Sequence, residues 1–322
     1  MQGRLSVSLR FQRRLLSYAK SLQGRVAAGT IAEKYLAEAH GVQITAFVSS
    51  VGNEHLFPAT QSHPTPSTNP AFLSLIESID RRTVDDFLPV RCPDAEASKR
   101  MAEIIADYRD RKDSIGGTVT CVIKNIPIGL GEPCFDKLEA MLAHAMLSIP
   151  ATKGFEIGSG FGGCEVPGSQ HNDLFVSTPA TPSSQEGSDS APSNPRPRLT
   201  TKTNNSGGIQ GGITNGAPVY FRVAFKPPAT IGQAQTTATY EGGEEGVLEA
   251  KGRHDPCVVP RAVPIVEAMS ALVVMDALLA QEARQAARSR LPLLKRTLPA
   301  ELTEVEDATT KEAKHPGLMN GH

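Results

Sequence analysis

Three short segments of the chain alternate apolar and polar side chains with the two-residue period of β-strands: 42–48, 119–123 and 219–225. Segments with apolar residues at helical spacing lie between and after them, at 27–35, 97–108, 135–146 and 266–277. The two kinds of segment are similar in number and follow no repeating strand–helix–strand order. The sequence therefore predicts an α+β fold class, in which layers of sheet and helix pack together.

Local signals set the expected bounds of these elements. Ala27, Ile31 and Tyr35 recur every four residues, which predicts an amphipathic helix that ends by Gly41. Asp94 is suited to cap the helix of 97–108, and the strand of 42–48 is expected to bury one face. Phe135 is expected to begin the apolar stripe of the following helix.

Composition excludes several broad classes. With 322 residues, a formal net charge of −1 and a pI near 6.7, the chain has no general attraction to nucleic acid or to an anionic membrane. Its five cysteines are odd in number and contain no CxxC pair, which favours a reducing, cytoplasmic location. The longest apolar run, 271–280, is interrupted by Asp276 and too short for a bilayer. We expect neither a nucleic-acid nor a membrane partner.

Two glycine clusters raise the question of nucleotide binding. Gly158, Gly160 and Gly163 satisfy GxGxxG, but Pro167 follows so soon that no dinucleotide-binding helix is expected. The second cluster, 204–212, would allow close approach of a flat ring or phosphate, or would equally serve as a flexible turn. The segment 226–230 adds a cation and a hydroxyl after a strand, or is simply a solvated strand end.

The stretch 251–266 has the densest set of reactive side chains. It contains four polar or charged heads and three prolines: Arg253, His254, Asp255 and Arg261, with Pro256, Pro260 and Pro264. The prolines predict a rigid, extended segment. Arginines beside an acid indicate a site for an anionic ligand with a proton acceptor, or a surface loop with a salt bridge at a helix entry. A thiol nucleophile at Cys257 is not favoured, because His254 is too near on the same stiff segment.

Several blocks occur in a fixed order along the chain. They read GRVAAG at 24–29, IGLGEP at 128–133, KGFEIG at 153–158, NNSGGIQGG at 204–212, KPP at 226–228 and RHDPCVVPRAVPIV at 253–266. Together they resemble chorismate synthases, most closely the fungal branch, from about residue 24 to residue 290.

The resemblance implies a chorismate-synthase-like β-α-β sandwich, with antiparallel sheets packed with helices, that is N-terminally incomplete. It divides the chain into a basic leader at 1–23, the family domain at 24–290 and a charged tail at 291–322. A proline- and serine-rich stretch at about 176–200 is expected to be a disordered insertion. The composition of the leader is also that of a transit peptide.

The resemblance also implies a site for reduced FMN. Its cofactor-binding residues would be Pro150, Ala151, Gly211, Lys226, Pro227, Pro228, Ala229, Thr230 and Arg253. Asp255 would be the catalytic acid–base residue, and Arg253 and Arg261 would bind the substrate. No metal is implied. Asp255, Lys226 and Gly211 are accordingly expected to share one cleft.

The implied reaction is the anti-1,4-elimination of phosphate from 5-enolpyruvylshikimate 3-phosphate to give chorismate, in the shikimate pathway. Fungal-type members also use NADPH to reduce the flavin. The assembly that the resemblance implies is a homotetramer. Two family motifs with histidines, GESHG-like and RPGHAD-like, are absent from this sequence, so we expect impaired activity. The alternative is a non-catalytic flavin-binding or assembly partner derived from the family.

Overall fold

The structure is a computed structural model that describes residues 22–178, 198–238, 245–250, 252 and 254–290. The chain divides into two units, Met1–Leu279 and Ala280–His322. Every strand among the described residues lies in the first unit. The described part of the second unit, 280–290, is helical.

The helices and strands are as follows. Helices are α1 (22–40), α2 (Pro70–Ser78), α3 (Arg81–Asp85), α4 (Ala95–Asp110), α5 (Leu138–Leu147), α6 (Gly168–His171) and α7 (Val259–Arg290). Strands are β1 (Gln43–Val51), β2 (Glu54–His55), β3 (Gly117–Lys124), β4 (Thr152–Ile157), β5 (Phe175–Thr178), β6 (Arg198–Thr201), β7 (Ile209–Gln210), β8 (Ile213–Thr214), β9 (Val219–Phe225), β10 (Gln235–Ala238) and β11 (Glu245–Leu248).

The main sheet is antiparallel and has five strands in the order β2-β1-β3-β9-β4. Its register places Ala46 opposite Cys121 and Cys121 opposite Phe221. Three further antiparallel pairs, β5–β6, β7–β8 and β10–β11, stand outside this sheet. The predicted α+β class, with antiparallel sheets packed with helices, is confirmed.

Both faces of the sheet are covered. On one face, alternate residues of β1, β3 and β9 pack with Leu36 of α1, Met101 of α4, Leu142 of α5 and Val266 of α7. On the other face, Phe47 and Tyr220 pack with Phe72 of α2. The prediction that β1 buries one face is therefore wrong: Phe47 is fully buried between the sheet and α2, so helices cover both sides.

Helix α1 ends before Gly41 as predicted, but its buried face is not the predicted one. Ile31 and Tyr35 are exposed, whereas Ala32 and Leu36 are buried. The reason lies at Gly29, where an added Cβ would stand 2.5 Å from the Ala268 carbonyl oxygen of α7. The glycine lets the two helix backbones approach closely, and this contact selects the face that is buried.

Helix α7 begins earlier than the proline pattern predicted. Pro260 and Pro264 lie inside the helix, so the extended segment ends before Val259. Pro264 has no N–H to donate to the carbonyl of Pro260 four residues earlier. Arg91 Nη1 donates to that oxygen instead, at 2.9 Å. This external donor lets proline stand in the first turns of the helix.

Helix α7 is also long and apolar enough, over Val259–Ala287, to cross a membrane by length and composition. The expectation from the shorter run 271–280 is therefore corrected. However, 67% of its apolar window is buried inside the fold. Val263, Val266 and Val274, for example, belong to the core of the first unit, as in the central helix of a folded domain.

Two further bounds are corrected. Residues 176–178 and 198–200, expected at the ends of a disordered insertion, belong to the paired strands β5 and β6. The residues between, 179–197, lie outside the described part of the chain. Phe135 precedes α5 and is 91% exposed, because the helix begins only at Leu138.

Candidate active site

Two of the predicted site segments meet at the turn that joins α4 to β3. We call residues 111–116 the α4–β3 turn. Ser114 Oγ donates a hydrogen bond to the carbonyl of Pro228 at 2.6 Å. The N–H of Ile115 donates to the carbonyl of Pro256 at 2.8 Å. The cofactor segment 226–230 and the acid segment 254–257 are therefore held by neighbouring residues of one turn.

A third predicted segment joins the cofactor segment directly. Lys226 N–H donates to the carbonyl of Ala151 at 2.9 Å, where the chain leaves α5 and enters β4. Ala151 has a left-handed backbone with φ of 69°, so the turn after Pro150 is tight. The Lys226 side chain is exposed at the end of β9. This arrangement brings Pro150, Ala151 and Lys226 together.

The rest of the cofactor segment follows the same turn. Pro227 and Pro228 lead into Ala229 and Thr230, which are both exposed. Past them, Gly232 N–H donates to the carbonyl of Lys112 at 3.1 Å. The segment thus lies along the turn with its hydroxyl and its lysine facing solvent.

The predicted acid and one predicted arginine form an ion pair. Arg261 Nη1 lies 2.5 Å from Asp255 Oδ2, and the two side chains are 61% and 34% exposed. Arg261 stands in the first turn of α7, and Asp255 lies just before the helix. The carboxylate is partly exposed, and among the described residues a guanidinium holds one of its two oxygens. Arg253 lies outside the described residues.

The neighbours of Asp255 do not form a thiol site. His254 Nε2 lies 3.1 Å from the carbonyl of Ala250, to which it donates. Cys257 is buried, and burial raises the pKa of its thiol to about 11. A thiol in that environment stays protonated at neutral pH, which agrees with the exclusion of a thiol nucleophile.

Gly211 lies in a hairpin turn and not on the α4–β3 turn, and its sharing of one cleft with Asp255 and Lys226 stays a prediction. Gly211 and Gly212, with φ of 63° and 89°, form the two-residue turn between β7 and β8. The Gly212 carbonyl accepts from Leu138 N–H at the start of α5, whereas Ala151 follows the end of α5. The ten residues of α5 separate these two ends by about 15 Å. The glycines serve a turn, the alternative that the sequence left open.

The first glycine cluster is also structural. Gly160–Glu165 forms a short 3-10 helix rather than a long α-helix, as the position of Pro167 predicted. At Gly158 an added Cβ would stand 2.2 Å from the carbonyl oxygen of Asn205. The cluster therefore allows two loops to pack together. Within the described residues, no group of three or more His, Cys, Asp or Glu is placed to hold a metal ion.

Sequence reasoning missed the α4–β3 turn. Ser114 is buried, yet in the sequence it is one serine between Asp113 and the glycines that end a helix. Its role depends on a contact with Pro228, 114 residues away. No periodicity or motif carries that information.

Known proteins with similar sequences give a consistent identification. Residues 16–279 match the family model described as chorismate synthase, so the match begins inside the stretch set apart as a leader. A chorismate synthase of Neurospora crassa is 69% identical over 305 residues, which cover 94% of this chain and 71% of that protein. A chorismate synthase of Saccharomyces cerevisiae is 57% identical over 271 residues, covering 84% and 66% respectively.

A solved structure adds the same result. A crystal structure of chorismate synthase is 30% identical and superposes with a TM-score of 0.58, covering 81% of this chain and 63% of that one. The chain thus spans about two thirds of the length of the relatives it matches. The family model covers most of the chain, and the fungal relatives are alike over more than four fifths of it. On these grounds the chain belongs to the chorismate synthase family, of the fungal type.

Proposed function

We propose that this chain carries the chorismate synthase reaction, in which 5-enolpyruvylshikimate 3-phosphate loses phosphate to give chorismate. The observation that carries the proposal is that segments 226–230 and 254–261 meet at the α4–β3 turn, with residues 150–151 joined to the first of them through Lys226. These segments are far apart in sequence and contain the residues that the family resemblance assigned to cofactor, substrate and proton transfer.

The residues present fit a reduced FMN. Lys226 offers an exposed cation for the phosphate, and Thr230 offers an exposed hydroxyl within four residues. Pro150 and Ala151 offer small side chains beside them, so a flat ring can approach the backbone. Reduced FMN, when bound, supplies an electron that eases departure of the phosphate, with no net redox change. NADPH as its reductant, a cytoplasmic location and a homotetramer complete the proposal.

The substrate's charge explains the arginine beside the acid. Two carboxylates and one phosphate need fixed cations, and guanidinium groups bind such anions through paired hydrogen bonds. Arg261 is 61% exposed, so it can contact a substrate anion while it holds Asp255. Asp255 then takes the ring proton through its other oxygen. Arg253 would complete the set of cations.

We further propose that the chain as written turns over slowly. The histidines of the two absent motifs would protonate the departing phosphate and stabilise the negative charge of the reduced flavin. The histidines present do not replace them: His55 and His63 line a cavity of about 310 Å³ with Arg222. Asp255 and Lys226 are not among its lining residues. One lost acid–base group typically slows a reaction about a hundred- to ten-thousand-fold.

The test combines binding with turnover. Purified chain is titrated with reduced FMN and with 5-enolpyruvylshikimate 3-phosphate under anaerobic conditions, and phosphate release is then measured beside the Neurospora crassa relative. We expect both ligands to bind and release to be at least about a hundred-fold slower than in the relative. Asp255→Ala should remove the remaining release and leave FMN binding intact.

Each other outcome has a definite meaning. Release at the relative's rate would refute the impairment. Release that persists in Asp255→Ala would remove Asp255 from the mechanism. Binding of FMN without any release would favour the non-catalytic flavin-binding partner, and failure to bind either ligand would refute the proposed function.

A further inference from the structure

The α4–β3 turn touches both candidate segments, although neither the sequence motifs nor the family match gives it a role. We propose that this turn is a positioning element: it fixes the cofactor segment 226–230 relative to Asp255, with Ser114 as its key side chain. The inference rests on the proposed function, since it concerns the same site. Ser114 itself need not contact a ligand.

The first argument is the shortage of backbone donors in the cofactor segment. Pro227 and Pro228 have no N–H, so the segment has no backbone donor between the amides of Lys226 and Ala229. A hydrogen bond that holds these two prolines in place must therefore come from a donor elsewhere in the fold to one of their carbonyls. Ser114 Oγ supplies it, at 2.6 Å from the Pro228 oxygen. Ser114 is only 8% exposed, so water competes poorly for that bond.

The same reasoning applies to the acid segment. Pro256 follows Asp255 directly and also lacks an N–H. Its carbonyl accepts from Ile115 N–H at 2.8 Å, one residue after Ser114. Two proline-containing segments are thus held by consecutive residues, and the distance between them is set by one peptide unit.

The turn is itself anchored, so it can transmit a fixed position. The Gly116 carbonyl accepts from Gly52 N–H at 2.8 Å, just beyond the end of β1 and the start of β3 in the main sheet. An added Cβ at Gly116 would stand 2.3 Å from the Phe225 carbonyl oxygen and 3.1 Å from Pro227 Cδ. Backbone therefore packs on backbone at this point. Beyond Thr230, Gln233 Nε2 donates to the carbonyl of Arg111 at 2.8 Å, which ties the far end of the segment.

The experiment compares Ser114→Ala with Ser114→Thr and with a matched control. Ser78→Ala removes a similar hydroxyl-to-carbonyl bond, from Ser78 Oγ to Ser74 O at 2.9 Å, on the exposed face of helix α2. The readouts are the Kd for FMN from flavin fluorescence, the Tm, and hydrogen exchange of the amides of Lys226 and Gly232. We expect Ser114→Ala to raise the Kd about three- to tenfold and to speed exchange at both amides.

The conservative variant separates positioning from simple packing. Ser114→Thr keeps the hydroxyl and should return Kd and exchange to within about twofold of the parent. Ser78→Ala should leave both unchanged. Gly116→Ala is a second disrupting variant, because its Cβ would displace Phe225 and Pro227, and it should weaken FMN binding as Ser114→Ala does.

The outcomes distinguish a failure of the positioning role of Ser114 from a failure of the proposed function. If the parent chain binds no FMN, the proposed function fails, and the positioning role is judged on amide exchange alone. Unchanged exchange in Ser114→Ala would overturn the inference in that case. Where FMN does bind, an unchanged Kd in Ser114→Ala would overturn it whatever the exchange shows.

Discussion

The sequence around Asp255 and Arg261 allowed two interpretations, and both fit the same pair of side chains. The sequence left open a ligand site and a salt bridge at a helix entry. The structure has the salt bridge, at 2.5 Å, with Arg261 in the first turn of α7. A carboxylate that lies just before a helix and is held by one guanidinium is also well placed for proton transfer, because its orientation is fixed before a ligand arrives.

Glu267 is a residue that the sequence analysis did not single out. It is buried on α7, and its Oε1 accepts from the N–H of Ala46 at the open edge of β1. Its Oε2 accepts from Arg81 at 3.0 Å, and Arg81 also pairs with Glu33. Burial raises the pKa of Glu267 to about 7; the hydrogen bond from Ala46 and the charge of Arg81 only partly oppose it, and the Glu33 charge adds to it.

This shift predicts how stability depends on pH. The folded state binds the Glu267 proton more tightly than the unfolded state, whose ordinary pKa is 4.5. The contribution of this group to stability is therefore full below pH 4.5 and is lost as the pH rises to about 7. Glu267→Gln removes the group, so its free energy of unfolding relative to the parent should rise by roughly 3 kcal/mol across that window.

The measurement is urea denaturation of both proteins at several pH values between 4.5 and 7. The difference between the two proteins cancels the contributions that other titrating groups make to the pH dependence of stability. A constant difference between Glu267→Gln and the parent would contradict the assigned pKa.

At the scale of elements, the start of α7 depends on a residue outside it. Pro264 leaves the Pro260 carbonyl without an intrahelical donor, and Arg91 supplies one at 2.9 Å. Arg91→Ala should destabilise the fold by about 1–3 kcal/mol, because a partly buried carbonyl loses its donor. In a Pro264→Ala background the new N–H of residue 264 can donate to the Pro260 carbonyl. Arg91→Ala should then lower the free energy of unfolding by less.

A double-mutant cycle by chemical denaturation measures this coupling. The ion pair of Arg91 with Asp85 is lost in both backgrounds and so cancels. Equal costs of Arg91→Ala with and without Pro264 would show that the Arg91 side chain does not replace the missing helix donor.

The contact of α1 with α7 gives a second prediction at this scale. Gly29→Ala would place a Cβ 2.5 Å from the Ala268 backbone oxygen, so the helices must separate. We expect a loss of about 1–3 kcal/mol in the free energy of unfolding. The control is Gly24→Ala on the same helix, where nothing lies within 4 Å and alanine should stabilise by up to about 1 kcal/mol. Equal effects at the two positions would contradict the close approach.

These elements show what the sequence can and cannot predict. Periodicity correctly predicted β1, β3, β9 and α4, including the cap by Asp94, because those signals are local. It did not predict that Gly29 rather than Ile31 faces the core, since that depends on Ala268 in a distant helix. The same limit applies to the candidate site. The resemblance named residues that do lie together, such as Lys226 and Ala151. The role of Ser114, which holds the Pro228 carbonyl, follows only from tertiary contacts.

At the scale of the whole molecule, the described surface exposes large apolar side chains on short strand pairs. Val247 and Leu248 of β11 are 76% and 56% exposed, and Phe175 of β5 is 66% exposed. A two-stranded pair is marginally stable alone, and apolar strand edges favour association. Such surfaces are expected where copies of a chain pack together, which agrees with the proposed homotetramer.

Size-exclusion chromatography with light scattering tests this expectation. The purified chain should elute with about four times its 34.3 kDa mass. Replacing Val247 and Leu248 together by serine should shift the mass toward smaller species, because their burial would no longer favour association. Ile128→Ser, at a 60% exposed site outside these strand pairs, is the control and should leave the mass unchanged. A monomeric parent would refute the tetramer. An unchanged mass in the double variant would show that β11 lies outside the interface.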